Sequence, residues 1–143
     1  MKKDMTKVIL GIDVGKNAGI SVIMDGKFIL SRSEKMISLL ETYKLTKHLI
    51  QNLVVNAVIT GKPNRMYNVI MAHAQFIGVI AMACEEANIP LIIENDSTMR
   101  AFVLGKGNGK RKDLVHEKYK GETPDVSDSM LFCDYLWLKQ NET

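Results

Sequence analysis

Cysteine, proline and aromatic residues are scarce in this sequence. Of its 143 residues, two are cysteine, three are proline and 6% are aromatic. Cys84 and Cys133 both lie in apolar, helix-patterned stretches, and neither belongs to a paired spacing such as C-x-x-C. This pattern argues against a cysteine-bound metal, and we interpret both as reduced packing residues.

Apolar runs long enough for a membrane are also missing. No run approaches the ~18 residues of a membrane span. Residues 1–4 lead into a strand-like segment instead of the apolar core of a signal peptide. We therefore expect a cytoplasmic protein with no membrane partner.

The sequence lacks a strong charge of either sign. Nineteen basic and 16 acidic residues give a net charge of +3, which permits nucleic-acid binding without arguing for it. A content of 46% hydrophobic and 24% charged residues is typical of one soluble globular domain. A chain of this size buries roughly 68% of its unfolded surface, enough for a core without metal or disulfide support. We predict a single domain over residues 1–143.

The order of the predicted elements indicates a mixed sheet. A nearly continuous apolar run that ends on Asp13 is typical of a central strand buried on both faces. Gly15 and Gly19 bracket a tight connection to the second strand, and Asp25-Gly26 predicts a hairpin turn to the third. An α/β fold follows, with a five-stranded mixed sheet, three antiparallel strands and then two parallel, flanked by helices. The predicted strands are 7–13, 20–24, 27–31, 57–60 and 90–94; the helices are 38–53, 67–87 and 124–138; residues 105–112 form a loop.

Three aspartates form a candidate metal site. Asp13 ends the central strand, and ligands of open α/β sheets lie beyond the carboxyl ends of strands, although such a residue can also simply cap a turn. Asp125 and Asp128 share one face of the last helix, where a solvated first turn is the alternative. Together the three suit magnesium, which binds carboxylates, waters and phosphate oxygens. Two such ions can clamp the attacking and leaving oxygens of a phosphodiester.

The glycine-rich loop, residues 105–112, is a candidate phosphate-binding site. Its glycines allow close backbone approach, and its cations suit phosphates, with a mobile solvated loop as the alternative. The four cations are Lys106, Lys110, Arg111 and Lys112.

Four segments, in order and nearly end to end, resemble the RuvC family of Holliday junction resolvases, most of all its compact phage-type members. They are ILGIDVGKNAGISVI, AHAQFIGVIAMACEEANIPLIIE, GKGNGKRKDLV and PDVSDSMLFCDYL. The resemblance implies an RNase H-like fold, a homodimer, and magnesium-dependent nicking of four-way DNA junctions, with manganese as a substitute. For a phage-encoded protein it implies the bacterial host cytoplasm.

The resemblance also assigns the acidic residues. Asp13 matches the family's first-strand aspartate, and Asp125 and Asp128 match its two helix aspartates. The family's glutamate at the end of the fourth strand is replaced by Thr60. Three carboxylate charges would then face two ions bearing four, so we expect weaker metal binding. Glu94, at the end of the next strand, is a possible substitute.

Further DNA contacts follow from the same resemblance. Lys112 resembles a lysine near the scissile phosphate, and Arg100 resembles a second basic residue close by. The family places an aromatic residue soon after the missing glutamate, where it stacks at the junction crossover. Pro63 falls nearest that place, and Tyr67 is a displaced candidate or else a core tyrosine. Two basic residues, Lys62 and Arg65, lie beside it.

Other residues and other functions have simpler interpretations. His73, Met66, Met71 and Met82 are interpreted as packing residues of the long helix. One alternative function is a protein of the same fold that grips junctions without cutting them, favoured by Thr60. A second is a small actin-like nucleotide-binding subdomain, suggested by GIDVG, although the chain is too short for that fold's two lobes.

Overall fold

The structure is a computed structural model that describes residues 7–15, 17–36, 38–63 and 67–142, with only the backbone described for 67–70. Its five strands form one sheet in the order β3-β2-β1-β4-β5. The first three strands pair antiparallel, and β1 with β4 and β4 with β5 pair parallel, which confirms the predicted sheet. The strands are β1 (Val8–Asp13), β2 (Asn17–Met24), β3 (Lys27–Lys35), β4 (Ala57–Gly61) and β5 (Leu91–Glu94).

Within the described residues, five helices accompany the sheet, two more than the sequence predicted. The helix over 96–104 begins after the cap residue Asn95, and a helix of eight residues begins at Lys112. They are only nine and eight residues long, too short for an apolar period to repeat as it does in the longer helices. None of the helices described is long and apolar enough to cross a membrane. The helices are α1 (Leu39–Leu53), α2 (Tyr67–Glu86), α3 (Asp96–Leu104), α4 (Lys112–Tyr119) and α5 (Pro124–Gln140).

The sheet is covered on both faces. Side chains alternate along β1, so Leu10 and Ile12 pack with α1 and α2, whereas Ile9 packs with α3, α4 and α5. By the same alternation Asp13 lies on the α5 face. Cys84 and Cys133 are free and buried, one in each core layer, as predicted.

Two strand glycines let α5 lie against the sheet. A Cβ atom on Gly19 would lie 2.0 Å from the backbone oxygen of Asp125, and one on Gly11 would lie 2.6 Å from that of Ser129. The prediction that Gly19 belongs to a tight connection is wrong, because β2 begins at Asn17 and Gly19 pairs with Asp13. Close approach of the backbones, and not a turn, requires glycine at position 19, and it brings the start of α5 to the end of β1.

One face of α2 is less covered than its sequence indicates. Met71 and Met82 are 51% and 53% exposed, so their interpretation as packing residues is wrong within a single chain. A Cβ atom on Gly78 would meet nothing within 4 Å. Spacings of seven and four residues place these three positions on one face of the helix.

Candidate active site

Three carboxylates converge where β1 ends and α5 begins. One ligand oxygen from each of Asp13, Asp125 and Asp128 lies within 4.8 Å of the others. Asp13 arrives from the sheet, and the other two project from successive turns of α5, whose close approach depends on Gly19. Oxygen donors at this spacing are what a magnesium or manganese ion requires, so the donor set fits such an ion.

The electrostatics of this group favour a cation. Burial, with the charges of Asp128, Asp125 and Asp96 added, raises the pKa of Asp13 well above its usual value of 3.8. Burial, followed by the charges of Asp96 and Asp125, raises the pKa of Asp128 to about 6. Like charges held together in a partly dry site repel one another, and a bound dication removes that repulsion.

The carboxylates lie in a cleft of about 680 Å³. Strands β1 and β4 end at it, and the first residues of α3, α4 and α5 line it or lie next to residues that do. Helix N-termini carry partial positive charge and favour anions such as phosphate. The basic residues that line the cleft are Lys62, His73, Arg100 and Lys112. His73 therefore faces the cleft and is not simply the packing residue expected from the sequence.

Arg100 has a different position from the one expected of a DNA contact. It is only 6% exposed, and its Nε donates a 2.6 Å hydrogen bond to the Gly109 carbonyl. It thereby fixes the glycine-rich loop against α3. Its positive charge still reaches the acidic group, because it lowers the pKa of Asp96 and of Asp128 against the opposing effect of burial.

Neither Thr60, which replaces the family's glutamate, nor its possible substitute Glu94 joins the acidic group. Thr60 pairs with Ile12, faces the α1 and α2 layer, and donates a 2.7 Å hydrogen bond to the Ile12 carbonyl. Glu94 accepts hydrogen bonds from the Asn95 amide and from the Tyr135 hydroxyl. Neither residue lines the cleft. The expectation that Thr60 occupies a ligand position fails because its side chain is on the opposite face of the sheet.

The structure instead brings in an aspartate that sequence reasoning missed. Asp96, the first residue of α3, lines the same cleft, and its charge raises the pKa of both Asp13 and Asp128. The available signal was an acidic residue just beyond a strand end, next to Asn95, which can cap a helix.

The cations of the glycine-rich loop differ in whether a neighbouring side chain already pairs with them. Lys106, Lys110 and Lys112 are exposed, and Lys112 also lines the cleft as the first residue of α4. Arg111 forms two hydrogen bonds of 3.0 and 2.9 Å with Asp113, so its charge is already paired. Tyr67 begins α2, but its side chain and all of Arg65 and Met66 lie outside the described part of the chain.

No protein-family model matches this sequence, and no curated protein matches it at a significant level. Solved structures do match. RuvC of Thermus thermophilus superposes with a TM-score of 0.77 at 13% identity, over 95% of this chain and 97% of that one. Thermus thermophilus RuvC in complex with Holliday junction substrate gives 0.75 at 12% identity with the same coverage. The yeast mitochondrial Holliday junction resolvase gives 0.53 at 15% identity, over 92% and 79% of the two chains.

These matches define the class of fold. The chain is an RNase H-like α/β domain with a mixed five-stranded sheet. Within that class its fold is RuvC-like, as the sequence resemblance implied.

Proposed function

We propose that this protein is a structure-selective endonuclease that binds and nicks four-way and other branched DNA junctions by metal-dependent hydrolysis. The observation that carries the proposal is the acidic group Asp13, Asp125 and Asp128, with ligand oxygens within 4.8 Å of one another in a cleft that also receives helix N-termini. The RuvC-like fold supports a junction as the substrate, since solved relatives of that fold include Holliday junction resolvases.

Each residue has a separate part in the proposed reaction. Asp13, Asp125 and Asp128 would hold magnesium, or manganese in its place, through carboxylate oxygens. Bound ions of this kind lower the pKa of an attacking water and stabilise charge on the departing 3′ oxygen. Lys112, exposed at the cleft, would offset charge on the phosphate. Arg100 would position the loop that carries Lys112, through its hydrogen bond to Gly109.

The direct test is incubation of the protein with an end-labelled four-way junction in magnesium, in manganese, and in a chelator. We expect paired nicks near the crossover with either metal and none with the chelator. A mobility-shift assay on the same samples measures binding separately. Binding without nicks in either metal would establish the alternative, a junction-binding protein that does not cut.

The proposed assembly is a homodimer formed through the exposed face of α2. Met71, Gly78 and Met82 give that face apolar character and room for a second helix to approach. A four-way junction offers two symmetric cut sites, which a two-fold dimer matches with two identical clefts. Light scattering should therefore give twice the monomer mass at micromolar concentration, and a monomer both free and on junction DNA would count against this assembly.

The exposed lysines of the glycine-rich loop should determine how strongly junction binding depends on salt. Lys110→Ala combined with Lys112→Ala is expected to reduce the slope of log affinity against log salt by roughly one to two, because each phosphate contact contributes about 0.9. Binding of a labelled junction across a salt series measures the slope.

A matched pair of lysines provides the control. Lys27 and Lys44 are exposed and lie on β3 and α1, outside the set of residues that line the cleft. Replacing both by alanine changes the net charge equally and should leave the slope close to wild type. Equal slopes for the two double variants would mean that the loop does not contact phosphate.

A further inference from the structure

One carboxylate oxygen of Asp96 has no hydrogen-bond partner in the part of the chain that the structure describes. Its Oδ1 is buried and accepts no hydrogen bond, and Asp96 forms no ion pair among the described residues. A buried acceptor without a donor costs roughly 1–3 kcal/mol, and more when it is charged. The arrangement is therefore unfavourable unless something that is not part of the chain binds this oxygen.

The usual role of an acidic residue at a helix start does not account for this arrangement. Asn95 already caps α3, because its side-chain oxygen accepts hydrogen bonds from the Ser97 amide at 3.0 Å and the Ser97 hydroxyl at 2.8 Å. A first-turn aspartate can interact with the helix dipole while it is exposed to solvent, so that role does not require a buried carboxylate oxygen. Asp96 instead lines the cleft that holds Asp13 and Asp128, next to the three carboxylates whose ligand oxygens lie within 4.8 Å of one another but not one of them.

The end of β4 leaves space for this carboxylate. Gly61 is the last β4 residue and lies on the α5 face, as Ala57 and Ile59 do, and a Cβ atom on it would lie 2.1 Å from Asp96 Oδ1 and 3.2 Å from Phe132. No side chain can occupy that volume while Asp96 does. The Asp96 carboxylate thus fills the position that a β4 side chain reaching the cleft would take.

We propose that Asp96 is the fourth carboxylate of the metal centre, supplied from the start of α3 in place of a β4 side chain. This inference rests on the proposed metal-dependent function. With Asp96 included, four carboxylate charges face the four positive charges of two divalent ions, and the deficit expected from Thr60 disappears. Burial raises the pKa of Asp96, and the charges of Arg100, Lys112 and His73 oppose that rise, but none of the three pairs with Oδ1.

Manganese binding to the full chain tests the proposal without reference to cutting. In calorimetric titration or Mn²⁺ electron paramagnetic resonance, Asp96→Asn is expected to lose one of two ions or to bind Mn²⁺ at least tenfold more weakly. Asp25→Asn, in the β2–β3 hairpin, is the matched control and should bind like wild type. Wild-type affinity in Asp96→Asn, or loss in Glu94→Gln instead, would overturn the proposal.

The melting temperature separates a metal ligand from a structural residue. A ligand role predicts that metal-free Asp96→Asn melts at or above the wild-type temperature, since a buried unpaired charge has been removed, and that Mn²⁺ raises its melting temperature less. A structural role predicts a lower melting temperature without metal and an unchanged response to Mn²⁺, and would overturn the proposal.

Relocating the carboxylate gives a positive test. Asp96→Ala should lose Mn²⁺ affinity, and adding Gly61→Glu should recover at least part of it, because the new side chain enters the vacated volume. No recovery in a folded double variant would argue against a shared position.

Asp128→Asn separates failure of the Asp96 assignment from failure of the proposed function. If Asp128→Asn abolishes Mn²⁺ binding and Asp96→Asn does not, the metal centre stands and only the assignment of Asp96 fails. If wild type binds no Mn²⁺, the proposed function fails as well.

Discussion

Asp128→Asn is expected to abolish nicking of a four-way junction while leaving binding of the junction intact or tighter. The substitution keeps the shape of the side chain but removes one of three converging carboxylates, so a divalent ion loses a charged ligand. Binding persists because a negative charge that repels phosphate has been removed. We expect at least a 100-fold loss of cutting rate, beyond the 10- to 100-fold loss typical of outer-shell residues. Asp13→Asn should behave in the same way.

Single-turnover cleavage and mobility shift on the same junction measure the two effects separately. Asp25→Asn is a suitable control, because it makes the same chemical change in a hairpin roughly 20 Å along β2 from Gly19, the partner of Asp13. Asn also tolerates the positive φ of 50° at this position. Full cutting by Asp128→Asn would eliminate the proposed mechanism.

The sheet was predictable because its signals are local and strong. The apolar run that ends on Asp13 and the Asp25-Gly26 turn define β1 and the hairpin, and Pro124 marks the start of α5. Helices α3 and α4 were not predicted because each spans only two or three turns, so packing in the folded chain stabilises them more than their own sequence does. Gly19 was misplaced for a similar reason: its partner is the α5 backbone, over 100 residues away.

The acidic group was predictable only in part. A strand-end aspartate and an i, i+3 pair on a helix are local patterns, and their meeting follows from the fold that the family resemblance implied. The fourth position was not predictable, because a shift of one residue along β4 exchanges one face of the sheet for the other. Thr60 faces the α1 and α2 layer, whereas Gly61 faces the cleft and has no side chain. Asp96 reaches the cleft through a helix that the sequence did not reveal.

Burial of the acidic group, together with repulsion between its carboxylates, should make the metal-free protein less stable at neutral pH than at mildly acidic pH. The folded-state pKa of Asp128, about 6, lies above its usual value of 3.8, so the folded state holds this proton more tightly than the unfolded state does. Its contribution to the free energy of unfolding is full below pH 4, falls between pH 4 and 6, and is lost above pH 6. Asp13 is shifted in the same direction by burial and the same neighbours.

The resulting effect on melting temperature is large and depends on metal. A shift of this size corresponds to roughly 2 to 3 kcal/mol, or a fall on the order of 5 to 10 °C between pH 4 and 7 in chelator. Asp128→Asn removes the titrating group, so the melting temperature of this variant should fall less with pH and should lie above that of wild type at pH 7 without metal.

Millimolar Mn²⁺ should raise the wild-type melting temperature at pH 7 and much less at pH 5, where protons compete for the carboxylates. Scanning calorimetry of both proteins at these pH values, with and without Mn²⁺, measures each term. If Mn²⁺ raises the melting temperatures of wild type and Asp128→Asn equally, the ion binds elsewhere. If the melting temperatures of the two proteins depend on pH in the same way in chelator, Asp128 is not the group whose titration destabilises the fold.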